Sequence, residues 1–528
     1  MNRLRPSRRI GSGRGHDGES AWVAATMAFT MRTMGMRIAM LASECEPWAK
    51  TGGLADVVDA LARTLGRLSV EDIEGPVDVF LPRYRGVPEL PNDASGAEAT
   101  IVRVPDPRAP AGVSDIAITS AEVNGYRLRL IDHPAAFDRA ALYGDGSADY
   151  ADNAWRFGLY CRAALEALRA DARPIDVIHL HDWQAGPAAV FRDLRYADDP
   201  VIGRAAMVMT LHNLAYHGWV GNPALAQLGL LPGGAAPGQN PDGIDLLAAG
   251  IEGADLVNTV SPGYAAEALT PDFGMGLDGL LRSRGDRFIG ILNGLDTTVW
   301  DPATDDLIAA PYFRADRSGK AICRADLLER NGMDPTDRGP VLGMIGRLDP
   351  QKGFDLLFAA APALLARGWR LIVQGSGPAS LADPFRALAA ASTGKVSLVE
   401  RFDRVMARRI YAGSDAFAMP SRFEPCGQGQ MIALRYGTPP IVHRTGGLAD
   451  TVVDATLSPS MGTGFVFDEP TAEALLAACD RAAAMRAAGG GRWDAVLDRG
   501  MAVDFDWVTG SAPRYVDAYR RAMAIRVA

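Results

Sequence analysis

Apolar positions along the chain keep two alternating rhythms. Unbroken apolar runs of four or five residues, which suit strands buried on both faces, are followed by segments whose apolar residues recur every three or four positions, which suit helices. Ile38–Ala42 is the first such run, and Leu54, Val57, Val58, Leu61, Leu65 and Leu68 follow at helical spacing. This predicts a strand, a turn at Lys50-Thr51-Gly52-Gly53 and a helix. Val177-Ile178-His179-Leu180 and Met207-Val208-Met209-Thr210-Leu211 read as further strands, each ending in a polar cluster. A second series starts at Val341-Leu342-Gly343-Met344-Ile345 and continues through Leu371-Ile372-Val373, Val396-Ser397-Leu398-Val399 and Ala416-Phe417-Ala418-Met419. Strands alternating with helices mark parallel sheets wrapped by helices, so both halves are expected to be doubly wound α/β domains. The boundary falls near residues 296 to 303, just after Asn293-Gly294-Leu295-Asp296. Residues Pro232 to Asp245, rich in Gly, Pro and Asn, read as a surface loop. Thr-Gly-Gly-Leu-Ala-Asp occurs twice, at Thr51–Asp56 and Thr445–Asp450, but nothing around it recurs, so no repeat architecture is implied.

Composition adds limits to this picture. A chain of 528 residues with 48% hydrophobic content exceeds the roughly 250 to 300 residues at which single cores stop growing, which again argues for two large domains. The net charge of −9 excludes a sequence-independent nucleic-acid binder, which needs a basic surface to displace counterions. An anionic ligand must therefore find a local basic pocket. Five cysteines, at 45, 161, 323, 426 and 479, are odd in number and form no CxxC pair, so neither a disulfide framework nor a zinc site is indicated and a reducing cytoplasm fits. No apolar run approaches the about 18 to 20 residues of a membrane helix, and Leu356–Leu365 contains Pro362. Residues 1–35, rich in Arg and Gly, precede Met36 and read as a disordered extension or as sequence upstream of the true start.

Three strand-to-helix turns carry candidate chemistry. At Lys50-Thr51-Gly52-Gly53 the glycines allow close backbone approach, free N–H groups at a helix start attract an anion, and the lysine adds a point charge. An ordinary turn would look the same. In Gly346-Arg347-Leu348-Asp349-Pro350-Gln351-Lys352-Gly353, two cations five positions apart can converge on one diphosphate, Arg347 as a fork and Lys352 as a point charge. A solvated charge pair is the plain alternative. In Glu424-Pro425-Cys426-Gly427-Gln428-Gly429, the glycines expose N–H donors and Glu424 can accept from sugar hydroxyls, or merely answer a helix dipole.

Together these strings resemble the ADP-glucose-dependent bacterial glycogen and starch synthases, a family of retaining glycosyltransferases with the GT-B architecture of two facing Rossmann-like domains. Lys50–Val57 is similar to the family's K-T-G-G-L-A-D-V, His181-Asp182-Trp183 to H-D-W, and His212-Asn213-Leu214-Ala215-Tyr216 to H-N-L-A-Y. Gly276-Leu277-Asp278-Gly279, Asn293-Gly294, Glu424-Pro425-Cys426-Gly427 and Arg444-Thr445-Gly446-Gly447-Leu448 match further family strings, and Arg347 and Lys352 match its phosphate-binding pair. The resemblance runs from Met36 to about Tyr519. It implies a first domain over 36–298 on the glucan side, a second over 299–504 for the nucleotide sugar, and a segment 505–528 whose helix crosses back onto the first. It also implies that Lys50, Gly52 and Gly53 meet the sugar diphosphate, that Asp182, His212 and Asn213 surround the transferred glucose with Asn293 nearby, and that Arg347, Lys352 and the Cys426-Gly427-Gln428 loop hold the leaving ADP while Glu424 binds glucose hydroxyls. ADP-glucose and an α-1,4-glucan are then the substrates, with no cofactor and no metal. The chain departs from the family at Gln428, where Leu is usual, His217, where Gln is, His443, where Arg is common, and Ala248, where Lys is frequent. Ile432 stands where related transferases carry a second glutamate. Two other readings are a GT-B transferase of a different donor or acceptor, and a glucan-binding protein that has lost turnover.

Overall fold

A computed structural model describes residues 35–527 apart from 70, 89, 91–94 and 146–147. The extension expected at residues 1–35 lies, except for its last residue, outside the described residues. In chain order the strands are β1 (Ile38–Leu41), β2 (Asp78–Pro82), β3 (Ser95–Pro105), β4 (Val113–Val123), β5 (Tyr126–Asp132), β6 (Val177–His181), β7 (Ala206–Leu211), β8 (Trp219–Gly221), β9 (Gln239–Asn240), β10 (Gly243–Asp245), β11 (Leu256–Thr259), β12 (Phe288–Gly290), β13 (Val341–Ile345), β14 (Arg370–Gln374), β15 (Val396–Val399), β16 (Ala416–Met419), β17 (Pro440–His443) and β18 (Phe465–Phe467).

Two large sheets result. The first has the order β12-β11-β7-β6-β1-β2-β5-β4-β3 and the second β15-β14-β13-β16-β17-β18. In the first, β4 runs antiparallel to both β5 and β3, and every other pairing is parallel. The second sheet is parallel throughout. Every residue of β1, β6 and β7 is buried, as expected of central strands covered by helices on both faces. Within the segment 232–245, expected to be a surface loop, residues 239–240 and 243–245 form β9 and β10, and β10 pairs with both β9 and β8 in a small antiparallel sheet; the rest is loop and turn. Pro241-Asp242 makes the turn between β9 and β10, where Asn240 Oδ1 accepts the N–H groups of Asp242 and Gly243 at 2.9 and 3.2 Å.

The order of each sheet reverses once. After β1 the chain adds β2 on one side and returns to place β6 on the other; after β13 it adds β14 and β15, then returns with β16. Loops leaving strands on either side of such a reversal diverge and open a crevice. The two crevices, one per sheet, belong to the turns after β1 and β6 and to those after β13 and β16.

Linkage between the two sheets is double. Residues 291–299 lead from β12 toward the second sheet, and the chain returns at the end, where the Leu295 N–H donates to the Phe505 carbonyl at 2.7 Å and Thr297 bonds Asp506. The final helix, Ala512–Val527, then packs on the first sheet: Arg526 Nη2 reaches the Gly203 carbonyl at 2.7 Å, and Tyr515 and Tyr519 are fully buried.

Candidate active site

The first wall of the inter-sheet cleft is built at the ends of β6 and β7. Asp182 opens the helix Asp182–Arg195 with φ at 54°, a left-handed backbone that costs a non-glycine residue about 1–3 kcal/mol and persists where the surroundings hold it. What holds it here is its carboxylate, which accepts the main-chain N–H of His212 at 2.7 Å. Burial pushes the Asp182 carboxyl up to about 7, against the pull of the His212 and Asn213 N–H donors. His181 Nδ1 and His212 Nε2 lie 3.0 Å apart. Burial drives His212 down to about 3 and His181 downward as well, so both imidazoles are neutral near pH 7. Asn293, on the linker, keeps a buried Oδ1 with no hydrogen-bond partner among the described residues.

The turn after β1 differs from expectation. The Glu44 carboxylate accepts the Thr51 N–H at 2.5 Å, the Thr51 hydroxyl at 2.6 Å and the Gly52 N–H at 3.1 Å, and takes a fourth bond from the Tyr143 hydroxyl at 2.7 Å. Two N–H groups expected to face a diphosphate are therefore already satisfied by the chain's own anion. Lys50 is also committed, to Asp56 at 2.6 Å and Glu46 at 3.4 Å.

The second wall comes from the turns after β13 and β16, brought together by close backbone approach. Gly353, with φ at 70°, stands where a Cβ would lie 2.1 Å from the Pro420 carbonyl oxygen, so no larger residue lets the two turns meet. The Arg422 N–H then donates to the Gln351 carbonyl at 2.8 Å. Lys352 Nζ reaches both oxygens of Glu424, at 2.9 and 2.6 Å, and the Ser421 hydroxyl donates to the same carboxylate at 2.9 Å. Arg347 is different: it is exposed, and its guanidinium has no ion-pair or hydrogen-bond partner among the described residues.

These walls bound a cleft of about 520 Å³. Asp182, His212, Asn213, Asn293, Gly52, Gly53, Arg347, Lys352, Glu424, Cys426, Gly427 and Gln428 all line it, whereas Lys50 does not. Glu44 and Tyr143 also line it; neither stood out in the sequence, since their roles rest on partners 7 and 99 positions away. Burial raises the Cys426 thiol to about 12, so it acts as a packed apolar group and not as a nucleophile. A second depression, of about 540 Å³, lies by Asp301, Arg314 and Arg435, but there the arginines are engaged in Arg314–Asp498 and Arg435–Asp301 pairs. Of the arginines that line these two depressions, Arg347, in the inter-sheet cleft, is the one without an ion pair among the described residues.

The departures from the family strings have physical settings. Gln428 lines the cleft just before the helix Gly429–Arg435. His217 Nδ1 pairs with Asp245 at 2.5 Å, and Asp245 caps the helix Leu246–Gly253 by accepting the N–H groups of Leu247 and Ala248. His443 is held by the Ser421 and Asp468 carbonyls at 2.8 and 3.1 Å, so it supports the turn that carries Glu424. Ile432 is buried in the following helix.

Comparison with known proteins agrees with this geometry. Residues 37–283 match the starch synthase catalytic domain and residues 339–484 match the glycosyl transferases group 1. The chain is 42% identical to a glycogen synthase of Opitutus terrae, over 90% of this chain and 98% of that protein. It is 39% identical to one of Syntrophotalea carbinolica, over 93% and 99%. Among solved structures, the catalytic domain of starch synthase IV from Arabidopsis thaliana, bound to ADP and acarbose, superposes with a TM-score of 0.83 at 32% identity, covering 93% of this chain and 100% of that one. A sucrose-phosphate synthase from Thermosynechococcus elongatus, at 19% identity and a TM-score of 0.58, shares the fold. With two doubly wound domains, their facing crevices and relatives matched along nearly their whole length, the chain belongs to the glycogen and starch synthase family of GT-B glycosyltransferases.

Proposed function

We propose that the chain transfers glucose from ADP-glucose to the non-reducing end of an α-1,4-glucan, in the cytoplasm, with retention of configuration and release of ADP. The observation that carries this reading is the unpaired Arg347 guanidinium, beside Lys352, facing across one cleft the neutral imidazole of His212 and the buried carboxyl of Asp182. Residues 36–298 serve the glucan, 299–504 hold the nucleotide sugar, and 505–528 return to brace the first domain.

Cleaving a glucosyl–phosphate bond builds oxocarbenium character on the sugar and negative charge on the departing phosphate, and preorganised charge is the largest stabilising effect available. Arg347 meets the phosphate directly. Lys352 shares its charge with Glu424 until the diphosphate arrives, so Glu424 both aims the lysine and keeps free lone pairs for a sugar hydroxyl. Asp182, His212, Asn213 and Asn293 surround the glucosyl ring, while Gly52, Gly53 and the Cys426-Gly427-Gln428 turn shape the donor pocket. Lys50 stays at the rim, its charge balanced by Asp56 and Glu46. The glucan C4 hydroxyl attacks from the face that the phosphate leaves, and the phosphate takes its proton.

Measuring ADP or UDP release on glycogen, with ADP-glucose or UDP-glucose as donor and with or without EDTA, tests this directly. Turnover with ADP-glucose that EDTA does not reduce is expected. Preference for another donor would displace the assignment, and loss of turnover in EDTA would transfer the role of Arg347 and Lys352 to a metal ion.

A further inference from the structure

Two buried histidines near the cleft have no part in the roles assigned above. β6 ends in His179-Leu180-His181, and alternate residues of a strand share a face, so both imidazoles project together. Their ring centroids are 4.1 Å apart, and the His181 ring is next to that of His212 at 5.3 Å. A row of three imidazoles thus runs from the last helix to the cleft. Tyr519 OH lies 2.9 Å from His179 Nδ1 at one end, and His212 lines the cleft at the other.

Proton positions along this row follow from the partners. The Thr210 hydroxyl donates to Asn258 Oδ1 at 2.8 Å, so its lone pairs are left to accept from His179 Nε2–H at 2.6 Å. His179 Nδ1 is then bare and accepts from the Tyr519 hydroxyl, and His179 has one defined tautomer. Between His181 Nδ1 and His212 Nε2, 3.0 Å apart, only one ring carries the shared proton. His181 Nε2 is buried with no hydrogen-bond partner among the described residues. A proton there would bury an N–H with no acceptor, the rarer and costlier kind of orphan. On Nδ1 the same proton makes the bond to His212 and leaves only a lone pair unmet.

We infer that His181 is a positioning residue: it donates from Nδ1 to Nε2 of His212 and so holds His212 in the tautomer whose Nδ1–H is offered to the cleft. His212 is then a hydrogen-bond donor suited to a sugar hydroxyl acting as acceptor. The use of that donor rests on the proposed glucosyl transfer, whereas the tautomer is a property of the protein without substrate.

Nitrogen NMR on protein labelled with 15N-histidine reads the tautomer directly, because a protonated and a bare ring nitrogen resonate far apart and the chain has only seven histidines to assign. His212 is expected to carry its proton on Nδ1. His181→Phe, which keeps a flat ring but no donor, removes the bond that fixes His212, so the nitrogen signal of His212 Nε2 should move to that of a bare nitrogen accepting no hydrogen bond, and kcat should fall on the order of 10- to 100-fold, as loss of other orienting partners does, with a smaller change in KM. His181→Asn, whose amide can donate from near the Nδ1 position, should keep both the tautomer and most of kcat. A wild-type His212 protonated on Nε2 overturns the inference, as does a folded His181→Phe with an unchanged His212 Nε2 signal and unchanged kcat. Should His181→Phe fail to fold, the wild-type and His181→Asn spectra still decide. A wild type that has the expected tautomer but does not turn over ADP-glucose would uphold the proton placement and count against the proposed reaction.

Discussion

Arg347 and Lys352 are both cations at one turn, yet their surroundings give them different work. Lys352 is held by two contacts to Glu424 below 3 Å and is already oriented, whereas Arg347 has its full charge available. If both stabilise charge that grows on the leaving phosphate, they interact more strongly with the transition state than with the bound donor. Arg347→Ala and Lys352→Ala should each lower kcat on the order of 100-fold, with a smaller change in KM. Steady-state kinetics check this, and an effect on KM alone would reduce the pair to donor binding. Asp182 makes a separate prediction. Its carboxyl, raised by burial to about 7, binds a proton in the folded state that the unfolded chain releases near its ordinary value. This group's contribution to stability therefore falls as pH rises through that window, up to about 7. If the ionised form is the one that works, kcat/KM should climb with unit slope through the same region. Asp182→Asn should give a low, flat profile, and a flat wild-type profile there would refute the role.

Two short helices from opposite domains clasp one another beside the cleft. Glu267, on the helix Pro262–Ala268, accepts the Gly446 N–H at 2.8 Å and the Thr445 hydroxyl at 3.0 Å. Asp450, on the helix Gly446–Thr451, accepts the Gly263 N–H at 2.7 Å. Each acid thus meets the positive end of the other helix, where a negative charge is favoured. The Ser261 hydroxyl adds a bond to the Pro425 carbonyl at 2.6 Å. Gly446 is the tight point: its φ is 40°, and a Cβ there would lie 2.2 Å from the Glu424 carbonyl oxygen. Gly446→Ala should cost about 1–2 kcal/mol for the left-handed backbone alone, measurable by denaturant unfolding. It should also lower kcat, because relieving the contact displaces the turn that aims Lys352 through Glu424. Unchanged kcat in a destabilised variant would show that the clasp is structural only.

Across the whole molecule, one cleft is lined by residues of both domains, and the domains are joined by residues 291–299 and by the returning segment near Phe505 and Asp506. Two connections on one side suit rotation about a hinge, and closure over a reactive donor keeps water out. Small-angle scattering should show a smaller radius of gyration with saturating ADP than without it, and Arg347→Ala should weaken that response. An equal radius in both states would mean that the cleft works without closing.

Much of this was legible in the chain itself. Strand, turn and helix follow one another within about 15 residues, so hydrophobic rhythm alone placed β1 and its helix, and β13 and β16, and put Arg347, Lys352, Asp182 and Glu424 on the loops that leave strand ends. The GT-B architecture came from the resemblance those loops carry. What the chain did not disclose is which groups satisfy one another. Glu44 occupies the N–H groups of Thr51 and Gly52, so the first turn meets an internal anion instead of only a ligand. Lys352 and Glu424 are 72 positions apart, and His179 and Tyr519 are 340 apart. Within residues 232–245, β10 formed against β8, and β9 against β10, while the rest stayed loop and turn. Local periodicity reports which face of an element is buried. Pairings across tens to hundreds of residues depend on how sheets and returning helices pack, so the protonation of His212, the unpaired state of Arg347 and the clasp between the domains were decided by the tertiary structure.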